Sequence, residues 1–155
     1  MKILLAVDGS ACSNTAVAEV ARRPWPADTQ VRVLSVVEPA APLVAEPYIV
    51  AGSYFEEVER ITRQQAEASV AQAAERLRTE AVSKLQVSTE IMPGSARRVI
   101  VEEADAWPAD LIVVGSHGYR TWERMLLGSV SQTVAAHASC SVEIVRCKKA
   151  VSSSR

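Results

Sequence analysis

The chain lacks a surplus of charge of either sign. Seventeen Lys and Arg stand against 18 Asp and Glu, for a formal net charge of −1, so electrostatics gives no case for nucleic acid or an anionic membrane surface as a partner. Long apolar runs are also missing. The five apolar residues after Met1-Lys2 stop at Asp8, too short for a signal-peptide core and far too short to span a bilayer. Cysteine is scarce. Cys12, Cys140 and Cys147 are an odd number without close spacing, which argues against a disulfide framework. There is no Cys-x2-Cys and no His/Cys cluster, so a structural zinc site is not expected. A reducing cytosol fits this usage, with Cys140 and Cys147 read as packing or surface thiols. Two phosphate-binding signatures are absent as well. Without Gly-x4-Gly-Lys-Ser/Thr the chain is no P-loop ATPase, and without Gly-x-Gly-x2-Gly a dinucleotide-dependent dehydrogenase is disfavoured.

What is present suits one globular domain. The 155 residues are 48% hydrophobic and 23% charged, a balance outside the disordered range, and a chain of this length hides roughly two-thirds of its extended surface on folding. Residues 2–7 (KILLAV), 31–37 (VRVLSVV), 85–91 (LQVSTEI), 110–114 (DLIVV) and 142–146 (VEIVR) read as five strands. The continuous apolar runs among them predict strands covered on both faces. Ser10 or Ser13 caps a helix through about Arg22, with Ala16, Val17, Val20 and Ala21 inward. A long helix is expected from about Phe55 to Val82, with Val58, Ile61, Ala66, Val70, Ala73, Leu77 and Ala81 near one face. Two more helices follow Pro93-Gly94-Ser95 and Gly128-Ser129, the first with Val99, Ile100 and Ala104 inward. The alternation is βαβαβαβαβ, which predicts an open five-stranded parallel sheet with helices on both faces. Residues 38–54, with Pro39, Pro42, Pro47 and Gly52, read as a long connection. Its length suggests a loop that orders on ligand binding. The domain is expected to span 1–148, followed by a polar tail at 149–155.

The chemistry concentrates in two segments. GSHGYRTWERMLLGSVSQ, residues 115–132, follows a buried strand and enters a helix. Its glycines, Gly115, Gly118 and Gly128, let a backbone turn sharply and approach a ligand. Gly128, Ser129, Val130 and Ser131 stand where a helix begins, and the free N–H groups there favour phosphate. Taken singly, each glycine or serine is more often a turn or a cap; the ordered set is what points to a ligand. Asp8, in Ala6-Val7-Asp8-Gly9-Ser10, ends the first strand. It is either an Asx-turn carboxylate or a contact to ribose hydroxyls or a metal. With strand order 3-2-1-4-5, strands 1 and 4 are neighbours, and Asp8 meets the 115–131 loop at the point where strand order reverses. His117 reads as an exposed loop histidine more often than a phosphate contact, and His137 as a complement to a helix dipole. Arg120 and Arg124 are evenly balanced between phosphate and solvent.

At these residues the chain resembles the universal stress protein family over nearly its whole length. The matching stretches are KILLAVDGS, GSHG, LLGSVS and His137-Ala138-x-Cys140-x-Val142-x-Ile144-Val145. The Gly-x2-Gly-x9-Gly-Ser skeleton resembles that of the family's ATP-binding branch. Tyr119 and Trp122 are bulkier than the pattern, and Ser141 stands where proline is common. The resemblance implies an adenine nucleotide alpha hydrolase-like fold, ATP as ligand with Mg or Mn as accompanying metal, and homodimers. By motif, Ala6, Val7 and Asp8 would line the adenosine, and Val36 would offer backbone groups to adenine. Gly115, Gly118, Gly128, Ser129, Val130 and Ser131 would hold ribose and phosphates.

The leading functional reading is an ATP-binding, cytoplasmic stress-response or signalling module acting through conformation or dimer state. The alternative is a slow ATPase or nucleotidyl-transfer enzyme, which needs a base beside the phosphates that the sequence does not show. An electron-transfer flavoprotein subunit is a third reading; it expects a larger chain. No catalytic residue is assigned. The homodimer is expected on the fifth strand, an exposed edge in this order.

Overall fold

Residues 3, 5 and 7 pack toward one side of the first strand and residue 4 toward the other, and all four are buried. Two covered faces explain why the segment is apolar without alternation. The computed structural model describes residues 1–39, 51–118 and 127–147. Its elements are β1 (Lys2–Ala6), α1 (Ala11–Arg22), β2 (Gln30–Val37), α2 (Ala51–Glu80), β3 (Gln86–Pro93), α3 (Ala96–Ala106), β4 (Leu111–Gly115), α4 (Ser129–His137) and β5 (Ser141–Val145). The strands form one sheet in the order β3-β2-β1-β4-β5, and every pairing is parallel. β1 is central, flanked by β2 with Ala6 opposite Leu34 and by β4 with Leu5 opposite Val113.

The helices cover both faces. Ile3, Leu5, Val31, Val33 and Val113 pack with Ala16, Val17 and Val20 of α1 and Val70, Ala73 and Leu77 of α2. On the other face, Leu4, Leu34, Ile112 and Val114 pack with Ile100 and Ala104 of α3 and Val134 of α4. The capping alternatives at α1 resolve in favour of Ser10. Its side chain accepts from the Ser13 N–H at 3.2 Å. The preceding Gly9 has φ +82°, a left-handed value that a side chain resists.

Three expectations are corrected. α2 begins at Ala51, four residues before Phe55, so it takes up the end of the expected 38–54 connection; Gly52 does not stop it, because one glycine costs a long helix only about 1 kcal/mol. Residues 40–50 of that connection lie outside the described residues. Ile61 is 42% exposed, while the same face is buried from Ala66 onward, where α2 crosses the sheet. On β5 the Glu143 carboxylate accepts from the Arg23 guanidinium at 2.6 Å. Cys147 is not a free thiol. It is bonded to Cys12 across 135 residues of sequence, with Cα atoms 4.8 Å apart. Spacing in sequence hides this pair because the parallel topology brings the end of β5 beside the start of α1. Cys140 stays free.

Candidate nucleotide cavity

At the carboxyl ends of β1, β2 and β4 a cavity of about 110 Å³, partly open to solvent, lies between sheet and helices. Its walls are aliphatic: Leu34 and Val36 from β2, Ala96 and Ile100 from α3, Val114 from β4 and Val130 from α4. Polar groups gather at one side, from Asp8, Ser13 and His117. An apolar slot with a few convergent polar groups is the usual form of a small-molecule site. It sits at the switch point of the sheet, where β1 is flanked by β2 and β4.

Of the ten residues singled out from sequence, Ala6, Val7, Asp8, Val36, Gly115, Gly118 and Val130 line this cavity. Asp8 serves two purposes. Its Oδ1 accepts from the Ser10 N–H at 2.9 Å, the Asx turn weighed above. Its Oδ2 faces Gly118, where an added Cβ would meet it at 2.6 Å. Gly115 is required by packing. A Cβ there would lie 2.8 Å from the Cys12 carbonyl carbon and 2.8 Å from the Ser13 nitrogen, so β4 and the first turn of α1 touch backbone to backbone.

Gly128, Ser129 and Ser131 form the approach to α4 and do not line the cavity. Gly128 is the helix's N-cap residue with φ −72°, a value open to any residue, so no left-handed turn demands glycine there. Its N–H donates to the Ser116 carbonyl at 2.7 Å. Ser131 is buried, and its hydroxyl is directed at the carbonyls of Ser116 at 3.1 Å and Gly128 at 2.9 Å. That hydroxyl holds the loop's end in place. Ser129, by contrast, is exposed in the first turn.

Ser13, Leu34, Ala96, Ile100, Val114 and His117 line the cavity without having been selected from sequence. The aliphatic members carry the same signal as ordinary core residues. His117 is half-buried rather than exposed. Its Nδ1 lies 3.0 Å from Ser116 Oγ, and its carbonyl accepts from the Ser10 hydroxyl at 3.3 Å. His137 is exposed at the end of α4, with Nδ1 2.9 Å from the Thr133 carbonyl. Tyr119, Arg120, Trp122 and Arg124 lie outside the described residues. Among the described residues that line the cavity there is no lysine or arginine; the N-terminal turns of α1 and α4, which contribute Ser13 and Val130 to the lining, carry the positive ends of helix dipoles.

A family model described as the universal stress protein family matches residues 1–146. The chain belongs to that family. A universal stress protein, MJ0531 of Methanocaldococcus jannaschii, is 32% identical over 145 residues, covering 94% of this chain and 81% of its own. Universal stress protein A homolog 2 of Coxiella burnetii is 41% identical over 78 residues, and that match spans 48% of this chain and about half, 53%, of the relative. Among solved structures, hypothetical protein MJ0577 superposes with TM-score 0.79 at 24% identity, covering 96% of each chain. The universal stress protein UspA of Lactobacillus plantarum gives 0.75 at 25%, covering 94% of this chain and 97% of its own. A universal stress protein solved in complex with cAMP gives 0.64 at 24%, covering 94% and 96%. The sheet order and helical layers are those of this family's fold.

No helix among the described residues is long and apolar enough to cross a membrane.

Proposed function

We propose that this universal stress protein binds an adenine nucleotide, ATP foremost, in the cavity at the ends of β1, β2 and β4. It would then act as a nucleotide-dependent stress-response or signalling module in the cytoplasm. The observation that carries the reading is the pairing of an aliphatic slot with a carboxylate oxygen at its rim, Asp8 Oδ2 beside Gly118. The flat base would lie between Val36, Ile100 and Val130, with backbone groups of Val36 within its reach. Ala6, Val7 and Asp8 would take the adenosine, the Asp8 carboxylate accepting from ribose hydroxyls. Gly115 and Gly118 keep the adjoining backbone free of side chains. Phosphates would extend toward Gly128, Ser129, Val130 and Ser131, where the first-turn N–H groups of α4 point outward from the helix.

The donor set fits the nucleotide better than it fits a metal cage. Among the described residues no group of three or more His, Cys, Asp or Glu side chains could hold a metal ion. Mg or Mn would therefore arrive on the phosphates, adding charge neutralisation there. The unit of function would be a homodimer through β5, whose outer edge no strand among the described residues covers.

The deciding measurement is mass spectrometry of nucleotide released from the purified protein, joined to calorimetric titration with ATP, ADP, AMP and cAMP. An adenine nucleotide in the extract and saturable binding support the reading. A flavin in the extract, or no binding of any adenine nucleotide, overturns it.

A further inference from the structure

We propose that the Cys12–Cys147 bond is a reversible redox clasp that sets how firmly the first turn of α1 is held against the cavity, and thereby the affinity for nucleotide. The second part rests on the reading just given; the first does not.

The placement of the bond carries the argument. Cys12 is the second residue of α1 and is 5% exposed. Cys147 lies just beyond β5 and is partly exposed. Next to Cys12, Ser13 lines the cavity. On its other side, the Cys12–Ser13 peptide is in tight contact with Gly115 at the end of β4. Ser116 completes the ring: its hydroxyl approaches Cys12 Sγ at 3.8 Å, its N–H donates to the Val145 carbonyl at 2.8 Å, and its own carbonyl receives Gly128 and Ser131. The bond therefore joins α1 to the end of β5 directly above the junction that also anchors α4. Weaken it, and the first turn of α1 loses its one covalent tie to the rest of that junction.

The third thiol does not compete. Burial, foremost, pushes the Cys140 thiol above its usual range, which lowers its thiolate fraction and its reactivity. Reduction then follows ordinary exchange chemistry. A dithiol reductant attacks the more exposed sulfur, Cys147 Sγ, as a thiolate. The S–S bond breaks and Cys12 leaves as a thiolate in the first turn of a helix, where the positive end of the helix dipole favours the anion, before taking up a proton. The reductant's second thiol then resolves the mixed disulfide. Two electrons pass to the protein, Cys147 is released as a thiol and the reductant departs as a cyclic disulfide. A small-molecule disulfide such as oxidised glutathione runs the sequence backward.

The test uses the full chain, its Cys147→Ser variant and its Cys140→Ser variant. After incubation with oxidised glutathione, iodoacetamide should add to Cys140 alone; after dithiothreitol it should add to all three cysteines, and re-oxidation should restore the first pattern. In Cys140→Ser the oxidised protein should take no label. Labelling of Cys12 or Cys147 after oxidation overturns the clasp. Amide exchange at residues 10–14 should speed up on reduction by about tenfold more than exchange in β3, a difference of the size that one pairwise contact makes; an equal change in both places means only general destabilisation and overturns the local coupling. ATP should bind several-fold more tightly to the oxidised form than to the reduced form or to Cys147→Ser, and equal affinities overturn the link to the ligand. Absence of ATP binding in both states refutes the nucleotide reading, while labelling and exchange still decide the clasp itself.

Discussion

Asp8 and Gly118 are set against each other so closely that a single methyl on Gly118 would stand 2.6 Å from Asp8 Oδ2. The carboxylate cannot simply turn away, because its other oxygen holds the Ser10 N–H at 2.9 Å. Gly118→Ala must therefore displace Asp8 or the loop. Since Gly118 is exposed and outside the core, the fold should survive while ATP affinity falls about tenfold, roughly 1.4 kcal/mol. Calorimetry on the folded variant checks this, and an unchanged affinity would detach Gly118 from the site.

The two oxygens of Asp8 can be separated by chemistry. Asp8→Ala removes both the turn contact and the ligand contact, and should weaken ATP binding by about 1.5–3 kcal/mol, the usual scale for a hydrogen bond to a charged group. Asp8→Asn keeps an acceptor for Ser10 but removes the charge. It should melt close to the wild-type temperature and still bind less well. If Asn restores affinity along with stability, the aspartate is a turn residue only.

Gly128 has a φ that any residue can adopt, so Gly128→Glu is not excluded by backbone strain. It would place a carboxylate at the mouth of α4, where phosphates are expected. Strongly weakened ATP binding with a native circular-dichroism spectrum is the expected result; adenosine, which lacks phosphates, should bind nearly as before. Equal loss for both ligands would mean a disturbed cavity instead.

The β5 edge gives a test of assembly. The Val145 carbonyl accepts from Ser116 in the neighbouring loop, so Val145 faces inward along the ladder. Alternation turns the backbone groups of Ile144 to the open edge. Ile144→Pro should thus spare the β4 pairing and block pairing with a second chain. Light scattering should show twice the chain mass for the wild type and a shift toward monomer for the variant. A folded, fully dimeric variant would place the interface elsewhere.

One acid-side effect is legible. The Arg22 guanidinium, with help from Arg23, holds the Glu19 carboxyl below the usual carboxylate range against the opposing effect of burial. A carboxylate depressed in the folded state adds stability above its unfolded pKa, about 4.3 for glutamate, and that stability is lost as pH falls through the lower folded value. Arg22 is 69% exposed at its side chain, so the contribution should stay under about 1 kcal/mol. Glu19→Gln should lower the melting temperature slightly at pH 7, and the gap to wild type should close below pH 4.

Strands and sheet order were legible because apolar runs such as Leu111–Val114 have only one use in a chain of this length, and βα alternation allows few topologies. Helix faces were legible where they cross the sheet and failed at Ile61, which is exposed about one turn ahead of the buried stretch that begins at Ala66. The cavity was half legible. Glycines and Asp8 stand out as punctuation, whereas Ile100 and Ala96 look like any inward face of a helix. Ser131 shows why a serine at a helix start is ambiguous: its hydroxyl is directed at two loop carbonyls. The Cys12–Cys147 pair was invisible because no local spacing records a meeting between the two ends of the chain.

The bond from Gly128 N–H to the Ser116 carbonyl has a consequence for how this region can vary. It fastens the start of α4 to the residue that follows β4 at 2.7 Å. Ser116 also donates its N–H to the Val145 carbonyl at 2.8 Å, so one residue after β4 is a shared pivot for the start of α4 and the end of β5. A substitution that tilts this residue should displace both elements together rather than either alone.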